Sequence, residues 1–398
     1  MYLLTVSTKD PIDVRLKQLS LTNDVVGEWT QKHWSTQKQR RVTLFEDNLL
    51  DEDAVLNQIE ALVAPLALLT TPGELLLTTS LHTIPLHMLA IQTSGQIRRQ
   101  HLIERNPLVY SYGSTVLHRC LYRAMQQSDA RRSVFLATFH AADDRQREEQ
   151  GSIYDHVERL GRIFQDEAHH GGDVTVESFP MLTLDSNLIH FHGHCEFKNS
   201  NALRHALVLH ETESAETVPP GVTSSNFQAV QLECQDHIAK LLEKVETMPH
   251  LSAGPEDSST TNRFDVEHVF RLTLASPHVT LVACESASQE ITAGDEPLGL
   301  IAGFLCAGAT SVLGTMWQIP SGPARGFSEA FYDDILSQQQ QDDCNMVDLA
   351  MAWRNAVIKV KDVEDQDVTP YEWAGFALYG SWFHRRFVGS KGQNDDQH

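Results

Sequence analysis

The chain of 398 residues has few long apolar runs, no closely spaced cysteine pairs and little positive charge. Its longest apolar stretches, 64–69 and 300–306, fall far short of the roughly 20 residues that a membrane-spanning helix needs. Six cysteines occur without a CxxC spacing, and charged Lys9, Asp10 and Asp13 stand where a signal peptide would have its apolar core. We therefore expect a cytoplasmic protein without a membrane partner.

Several charge patterns and motifs are also missing. The chain has 31 Lys and Arg against 53 Asp and Glu, a net charge of −22, which repels phosphates and makes nucleic acid an unexpected partner. GxSxG, GxxxxGKS/T and HExxH do not occur, so the serine-hydrolase, P-loop and HExxH-metalloprotease classes have no support. We expect no cofactor and no metal.

What the sequence does contain, from residue 74 onwards, is an alternation of short apolar segments with amphipathic ones. The predicted strands are 74–79, 108–112, 133–139, 174–179, 187–192, 206–210, 279–283, 310–315 and 375–379. The predicted helices are 115–127, 155–167, 265–274, 297–307, 323–337 and 346–361. Because parallel neighbours need a crossover connection, this order predicts an α/β fold with a mostly parallel sheet. A charged loop at 140–152 and a polar, mobile insertion at 211–263 are expected to interrupt it.

Cys284 directly follows the predicted strand 279–283, whose continuous apolar sequence is typical of a strand buried on both faces. The residue therefore lies at the carboxyl end of a central strand, the edge at which open α/β sheets bind ligands. A thiol there can act as a nucleophile. The alternative is a small, buried, structural cysteine.

Three histidines, His190, His192 and His194, lie at the carboxyl end of another predicted strand. A histidine there can reach Cys284 on a neighbouring strand end and act as the proton acceptor and donor of a cysteine peptidase. The three could instead form a metal site, since alternate strand residues face the same way. Gly193, however, suggests that the chain turns there and that His194 leaves this face. Hydrogen-bonded structural histidines are the remaining alternative for His190 and His192.

Four sequence motifs occur along the chain in the order that is typical of one protein family. They are PGELLLTTSLHTIPLHML, IHFHGHCEF with ALRHALVLH, VACESASQEITAGDEPLGLIAGFLCAGATSVLGTMWQI, and FYDDIL with YEWAGFALYG. Together they resemble the CHAT domain, a caspase-like peptidase family related to separases and caspases. The resemblance implies a caspase-like, three-layer α/β/α sandwich. It also implies a degenerate part at 73–180 and a catalytic part at 181–388. Helical periodicity before this domain predicts an N-terminal helical region at 1–72, and the polar composition of 389–398 predicts a disordered tail.

The resemblance assigns the catalytic histidine to His194 and the nucleophile to Cys284. It implies an oxyanion hole formed by the backbone N–H groups of Cys195 and Cys284, which would stabilise developing negative charge. Cys195 stands where the family usually has glycine or another small residue. Asp295 and Glu296 could bind a basic substrate residue or could cap the following helix, and Trp317 could wall the substrate groove or pack in the core.

These residues together predict a cysteine endopeptidase that cleaves a protein or peptide substrate and has a possible regulatory protein partner. The alternative is a catalytically inactive CHAT-type interaction module with the same fold.

Overall fold

The computed structural model describes most of the chain. The described residues are 2–7, 13–33, 57–79, 81, 84–91, 100–127, 132–196, 202–211, 262–287, 290–291, 297–341, 345–362 and 368–387. The chain divides into two compact units. Unit 1 comprises residues 1–125 and 313–386, and unit 2 comprises residues 126–312 and 387–398.

The strands of the described residues are short, apart from one. In chain order they are β1 (Tyr2–Ser7), β2 (Asp13–Gln18), β3 (Leu76–Thr78), β4 (Ala90–Ile91), β5 (Gln100–His101), β6 (Leu108–Tyr110), β7 (Arg132–Ala137), β8 (Glu167–His170), β9 (Ser186–Glu196), β10 (Ala206–Val208), β11 (Arg263–Asp265), β12 (His278–Ala283), β13 (Glu290–Ile291), β14 (Pro297–Leu298), β15 (Ser311–Thr315), β16 (Met346–Asp348), β17 (Phe376–Gly380) and β18 (Phe383–Arg385).

The α-helices differ widely in length. In chain order they are α1 (Asn23–His33), α2 (Leu66–Leu69), α3 (Leu102–Arg105), α4 (Ser114–Gln126), α5 (Asp144–Phe164), α6 (Phe179–Thr183), α7 (Val266–Phe270), α8 (Leu300–Ala307), α9 (Ser321–Gln341), α10 (Leu349–Lys361) and α11 (Pro370–Trp373). Short 3₁₀ turns lie at Glu60–Leu62, Leu86–Met88, Gly171–Asp173 and Ala202–Arg204. None of the helices in the described ranges is long and apolar enough to cross a membrane.

Unit 2 is organised around β9. This strand pairs in parallel with β7 on one side and with β12 on the other. Every residue of β12 is buried, as are the first seven residues of β9. Burial on both faces fits the mainly apolar sequence of β12, whereas the buried part of β9 also contains His190 and His192. Beyond the end of β7, β9 continues and pairs antiparallel with β10. The carboxyl ends of β9 and β12 therefore lie side by side.

Unit 1 has its own parallel pairings, because β6 pairs in parallel with both β3 and β17. The described residues of this unit also form antiparallel pairs, β1 with β2, β4 with β5 and β16 with β18. The predicted α/β fold with a mostly parallel central sheet is confirmed.

Two predicted segments have a different structure. The predicted loop 140–152 contains the first turns of α5, whose N-terminus is capped by Asp143 accepting a hydrogen bond from the backbone N–H of Gln146 at 2.8 Å. The predicted strand 174–179 is instead a turn that leads into α6. There Thr175 and Ser178 bond to each other's backbone N–H groups, at 2.8 and 3.2 Å, and Pro180 occupies the first turn of the helix.

The compact units do not follow the predicted domain boundaries. Residues 126–180 group with the predicted catalytic part, whereas residues 313–386 group with the N-terminal residues, because β17 pairs with β6. The predicted helical region at 1–72 also contains the antiparallel pair β1 and β2. Apart from residues 211 and 262–263, the predicted insertion at 211–263 lies outside the described residues, as does the predicted tail at 389–398.

Candidate active site

Cys284 is the first residue after β12, and its side chain is partly exposed. A tight turn follows, in which the Ser286 N–H donates to the Ala283 carbonyl at 3.0 Å and the Ser286 hydroxyl donates to the Leu281 carbonyl at 3.2 Å. Within this turn, the backbone of Glu285 has a φ of 59°, in the left-handed region that residues other than glycine seldom adopt. The chain thus turns sharply at Cys284, at the carboxyl end of a buried strand.

His194 lies on the neighbouring strand end. In the parallel pairing of β9 with β12, Ala283 is in register with Gly193, so Cys284 and His194 each stand one residue further along. Neighbouring strands are about 4.8 Å apart, which brings the two backbones close together. The His194 side chain is exposed, and its ring packs against Phe139 with 4.8 Å between ring centroids.

The local environment favours a neutral His194. Desolvation by its packed neighbours lowers the pKa of His194 below the usual 6.5, and positive charge on His140 lowers it further, while the Glu149 carboxylate opposes the shift. A neutral imidazole can accept a proton, as a general base must.

β9 does not turn at Gly193, contrary to the prediction from the sequence, and it continues to Glu196. The glycine is needed because the chain comes close to the end of β7. A Cβ at this position would lie 2.6 Å from Thr138 Oγ1 and 2.8 Å from the Thr138 carbonyl oxygen. His194 accordingly keeps the strand alternation of His190 and His192.

Cys195 makes a contact that the sequence analysis missed. Its Sγ lies 3.0 Å from Nε2 of His205, a buried histidine just before β10, and Leu207 of β10 is the pairing partner of Cys195. Burial raises the pKa of the Cys195 thiol well above its usual value, and the negative charges of Cys284 and Glu285 add to this effect. The Cys195 thiol is therefore protonated at neutral pH and can donate to the imidazole. The sequence offered one signal, a histidine immediately before a predicted strand.

A second group of histidines lies deeper on β9. His190 and His192 are 0% and 4% exposed, and His156 of α5, which is 2% exposed, joins them. One ligand atom from each ring lies within 4.8 Å of those of the other two. In the metal site considered from the sequence, His194 was the third histidine beside His190 and His192. In the structure the third histidine of the cluster is His156. Burial lowers the pKa of His190 well below its usual value, with further lowering by positive charge on its histidine neighbours.

Of the three predicted substrate-binding residues, the structure describes Trp317 alone. Asp295 and Glu296 lie outside the described ranges. Trp317 belongs to unit 1, is 2% exposed, and packs closely enough against Gly375 that a Cβ there would lie 3.2 Å from the indole ring. This burial favours the core-packing alternative for Trp317, and its role in substrate binding stays a prediction.

Comparison with known proteins gives one extensive match to a family. The CHAT domain family profile matches residues 54–381. Tetratricopeptide repeat protein 28 of Mus musculus is 28% identical over 215 residues, covering 53% of this chain and 8% of that protein. Its Homo sapiens counterpart is 31% identical over 113 residues, covering 28% of this chain and 4% of that protein. The chain thus spans less than a tenth of the length of these curated relatives.

Solved structures also resemble the chain. One is a Saccharomyces cerevisiae separase–securin complex at 12% identity, covering 94% of this chain and 21% of the other, with a TM-score of 0.44. Another is the Arg-specific cysteine proteinase gingipain R at 11% identity, covering 86% of this chain and 69% of the other, also with a TM-score of 0.44.

Proposed function

We propose that this chain, which belongs to the CHAT domain family, is a cysteine endopeptidase of the caspase-like type. Cys284 is the nucleophile and His194 is the general base and acid. The observation that carries the proposal is the register of β9 and β12, in which these two residues directly follow the paired residues Gly193 and Ala283.

The proposed chemistry needs no group beyond the protein and water. His194 takes the proton of the Cys284 thiol, and the thiolate attacks the carbonyl carbon of the scissile peptide bond. The C–N bond then breaks as the His194 imidazolium protonates the leaving amine, which leaves a thioester on Cys284. Water attacks the thioester carbon while His194 accepts a proton from it. The C–S bond then breaks and the His194 imidazolium returns the proton to the Cys284 sulfur, which releases the carboxylic acid product and restores the free thiol.

The tetrahedral intermediates of both steps carry a negative oxygen. We assign the donors for this oxygen to the backbone N–H groups of Cys195 and Cys284, which would act as an oxyanion hole. The bulk of a cysteine at position 195 is compatible with this role, because its side chain is directed to His205 at 3.0 Å.

The proposed substrate is a protein or a peptide, and the proposed regulatory partner is also a protein. Both proposals come from the family to which the chain belongs. The peptidase chemistry itself can be tested with the purified chain alone, because every residue assigned to it lies within residues 194–284.

An activity-based probe tests the proposed nucleophile. A peptide carrying a thiol-reactive warhead should label the purified full chain at Cys284, with mass spectrometry locating the adduct. Cys284→Ala should remove the labelling, and His194→Ala should slow it at least about tenfold, since general-base assistance contributes about 10²–10⁴-fold. Cys195→Ala is the matched control, because it removes a neighbouring thiol and should leave labelling at Cys284.

The competing function is an inactive interaction module. Equal labelling of wild type and His194→Ala by the probe, together with no cleavage of any member of a peptide library, would refute the peptidase and favour that module. Circular dichroism of each variant establishes that a loss of labelling is not a loss of folding.

Substrate preference is a separate prediction. Asp295 and Glu296 follow the nucleophile in sequence, and a partly shielded carboxylate pairs best with the planar, two-pronged arginine side chain. We expect cleavage after Arg, and less efficiently after Lys, in a peptide library. Asp295→Asn or Glu296→Gln should lower kcat/KM for these peptides about tenfold or more. Cleavage after Asp, or no change in either variant, would contradict the assignment.

A further inference from the structure

Three buried histidines in unit 2 have no part in the proposed peptidase chemistry. His190 and His192 are two residues apart on β9 and point to the same face of the sheet, the face on which His156 of α5 lies. We propose that His156, His190 and His192 form a binding site for one divalent transition-metal ion, with Zn²⁺ as the representative ion.

The rings form a nearly equilateral triangle. Their centroids are 6.1 Å apart for His156 and His190, 5.9 Å for His156 and His192, and 6.3 Å for His190 and His192. None of the three pairs is stacked, because the interplanar angles are 65°, 78° and 65°. Edge-to-face contacts of this kind leave one nitrogen of each ring close to those of the other two.

The distances fit a metal site that is slightly open. With Zn–N bonds of about 2.0–2.1 Å and tetrahedral angles, ligand nitrogens are about 3.4 Å apart and ring centroids about 5 Å apart. One nitrogen from each ring already lies within 4.8 Å of the others. A contraction of about 1 Å along each side would complete the geometry, which small side-chain rotations can supply.

The chemistry of the donor set selects the class of ion. Imidazole nitrogen suits zinc, copper, nickel and iron, whereas calcium and magnesium prefer oxygen ligands, which this cluster does not offer. The side chains are at most 4% exposed, so a fourth ligand would have to be as small as water or hydroxide. A net charge of −22 on the whole chain favours the approach of a cation.

One neighbour competes with the metal. A guanidinium nitrogen of Arg159 lies 3.4 Å from Nδ1 of His156, a long contact. Coordination through Nε2 would put a proton on Nδ1 and end this contact. The bound ion would connect α5 to β9 within unit 2. The proposed role of the site is therefore to stabilise the fold.

Metal binding by the full chain tests the site without any activity assay. Purified protein is treated with a chelator, exchanged into chelator-free buffer and titrated with Zn²⁺ alone. We expect one tightly bound zinc per chain by elemental analysis and a higher melting temperature, because an ion that binds only the folded state stabilises it. Co²⁺ in its place should give the visible absorption bands of a tetrahedral site.

Variants identify the ligands. His156→Gln and His192→Gln should each weaken zinc affinity at least about tenfold and remove the Co²⁺ bands. His278→Gln is the matched control, because His278 is also 0% exposed, lies on β12 and is held by Ser311 and Thr280 at 2.8 and 3.1 Å. It should keep zinc binding.

Three results would overturn the site. They are a wild-type chain that binds no zinc and gives no Co²⁺ bands, unchanged affinity in both ligand variants, and equal loss in folded His278→Gln. The wild-type Co²⁺ spectrum decides the matter even if a ligand variant does not fold.

Discussion

Glu285 combines an unfavourable backbone conformation with a position next to the proposed nucleophile. Its φ of 59° costs a residue other than glycine roughly 1–2 kcal/mol. Glycine adopts this conformation without the penalty, so Glu285→Gly should be more stable than Glu285→Ala by about 1 kcal/mol, because both remove the same carboxylate. Urea unfolding of the two variants measures the difference. Equal stability, or a more stable alanine variant, would contradict the left-handed turn.

The lowered pKa of His194 predicts the pH dependence of the proposed reaction. The general base must be neutral in the free enzyme, and the environment of His194 disfavours its protonated form. As pH falls, kcat/KM should therefore stay high through pH 6.5 and decline only below it. Glu149→Gln removes the carboxylate that opposes the shift, so it should move the acid limb further down. An acid limb above pH 6.5 in the wild type would contradict this prediction.

Gly193 allows strand β9 to continue beyond the end of β7 in close contact with Thr138. Alanine there would place its Cβ 2.6 Å from Thr138 Oγ1, and overpacking of this kind costs about 1–3 kcal/mol. We expect Gly193→Ala to lower the free energy of unfolding by this amount and to reduce activity, since His194 is the next residue.

Gly151 provides the control for that substitution. It lies inside α5, and within the described part of the chain only its own helical turn comes within 4 Å of where a Cβ would be. Gly151→Ala should therefore be neutral or stabilising by up to about 1 kcal/mol. Chemical denaturation compares the two variants under the same conditions. A Gly193→Ala protein as stable as Gly151→Ala would contradict the close approach of the two strands.

The sequence predicted the buried strands well, because a strand covered on both faces needs a continuous apolar run, as in β12. The prediction was wrong where hydrogen bonds between local side chains and the backbone determine the structure. The first turns of α5 are polar, and their helical start depends on the Asp143 cap. The segment 174–179 is apolar enough for a strand, yet the reciprocal bonds of Thr175 and Ser178 form a turn.

The residues of the candidate site were likewise predictable from the sequence only in part. Cys284 could be placed at the end of a strand from the sequence, because the apolar run of a strand and its polar end are both local signals. His194 was expected just beyond its strand, yet β9 continues past it to Glu196. His156 could not be placed beside β9, since it belongs to α5 and only the tertiary fold brings it there. For His205 the sequence shows a position just before a predicted strand, but not that this strand pairs with β9 at Cys195.

The net charge of −22 on the chain should attract positively charged substrates before they bind. A field of this sign raises the rate at which basic peptides arrive, and salt screens it over about 10 Å at 0.1 M. For the proposed peptidase, kcat/KM on a peptide with additional lysines away from the cleaved bond should fall several-fold between low and moderate salt. A neutral peptide with the same cleavage sequence should change little, and equal salt dependence of both peptides would contradict the steering.

Neither compact unit is one continuous stretch of chain. Residues 1–125 share unit 1 with residues 313–386, and β17 from the second segment pairs with β6 from the first. On the ribosome, residues 111–380 must be synthesised after β6 before the whole of β17 can pair with it. At about 5–20 residues per second, these 270 residues take roughly 14–54 s. During translation the nascent β6 therefore keeps an open edge on the side of β17, and residues 126–312 of unit 2 have the opportunity to fold first.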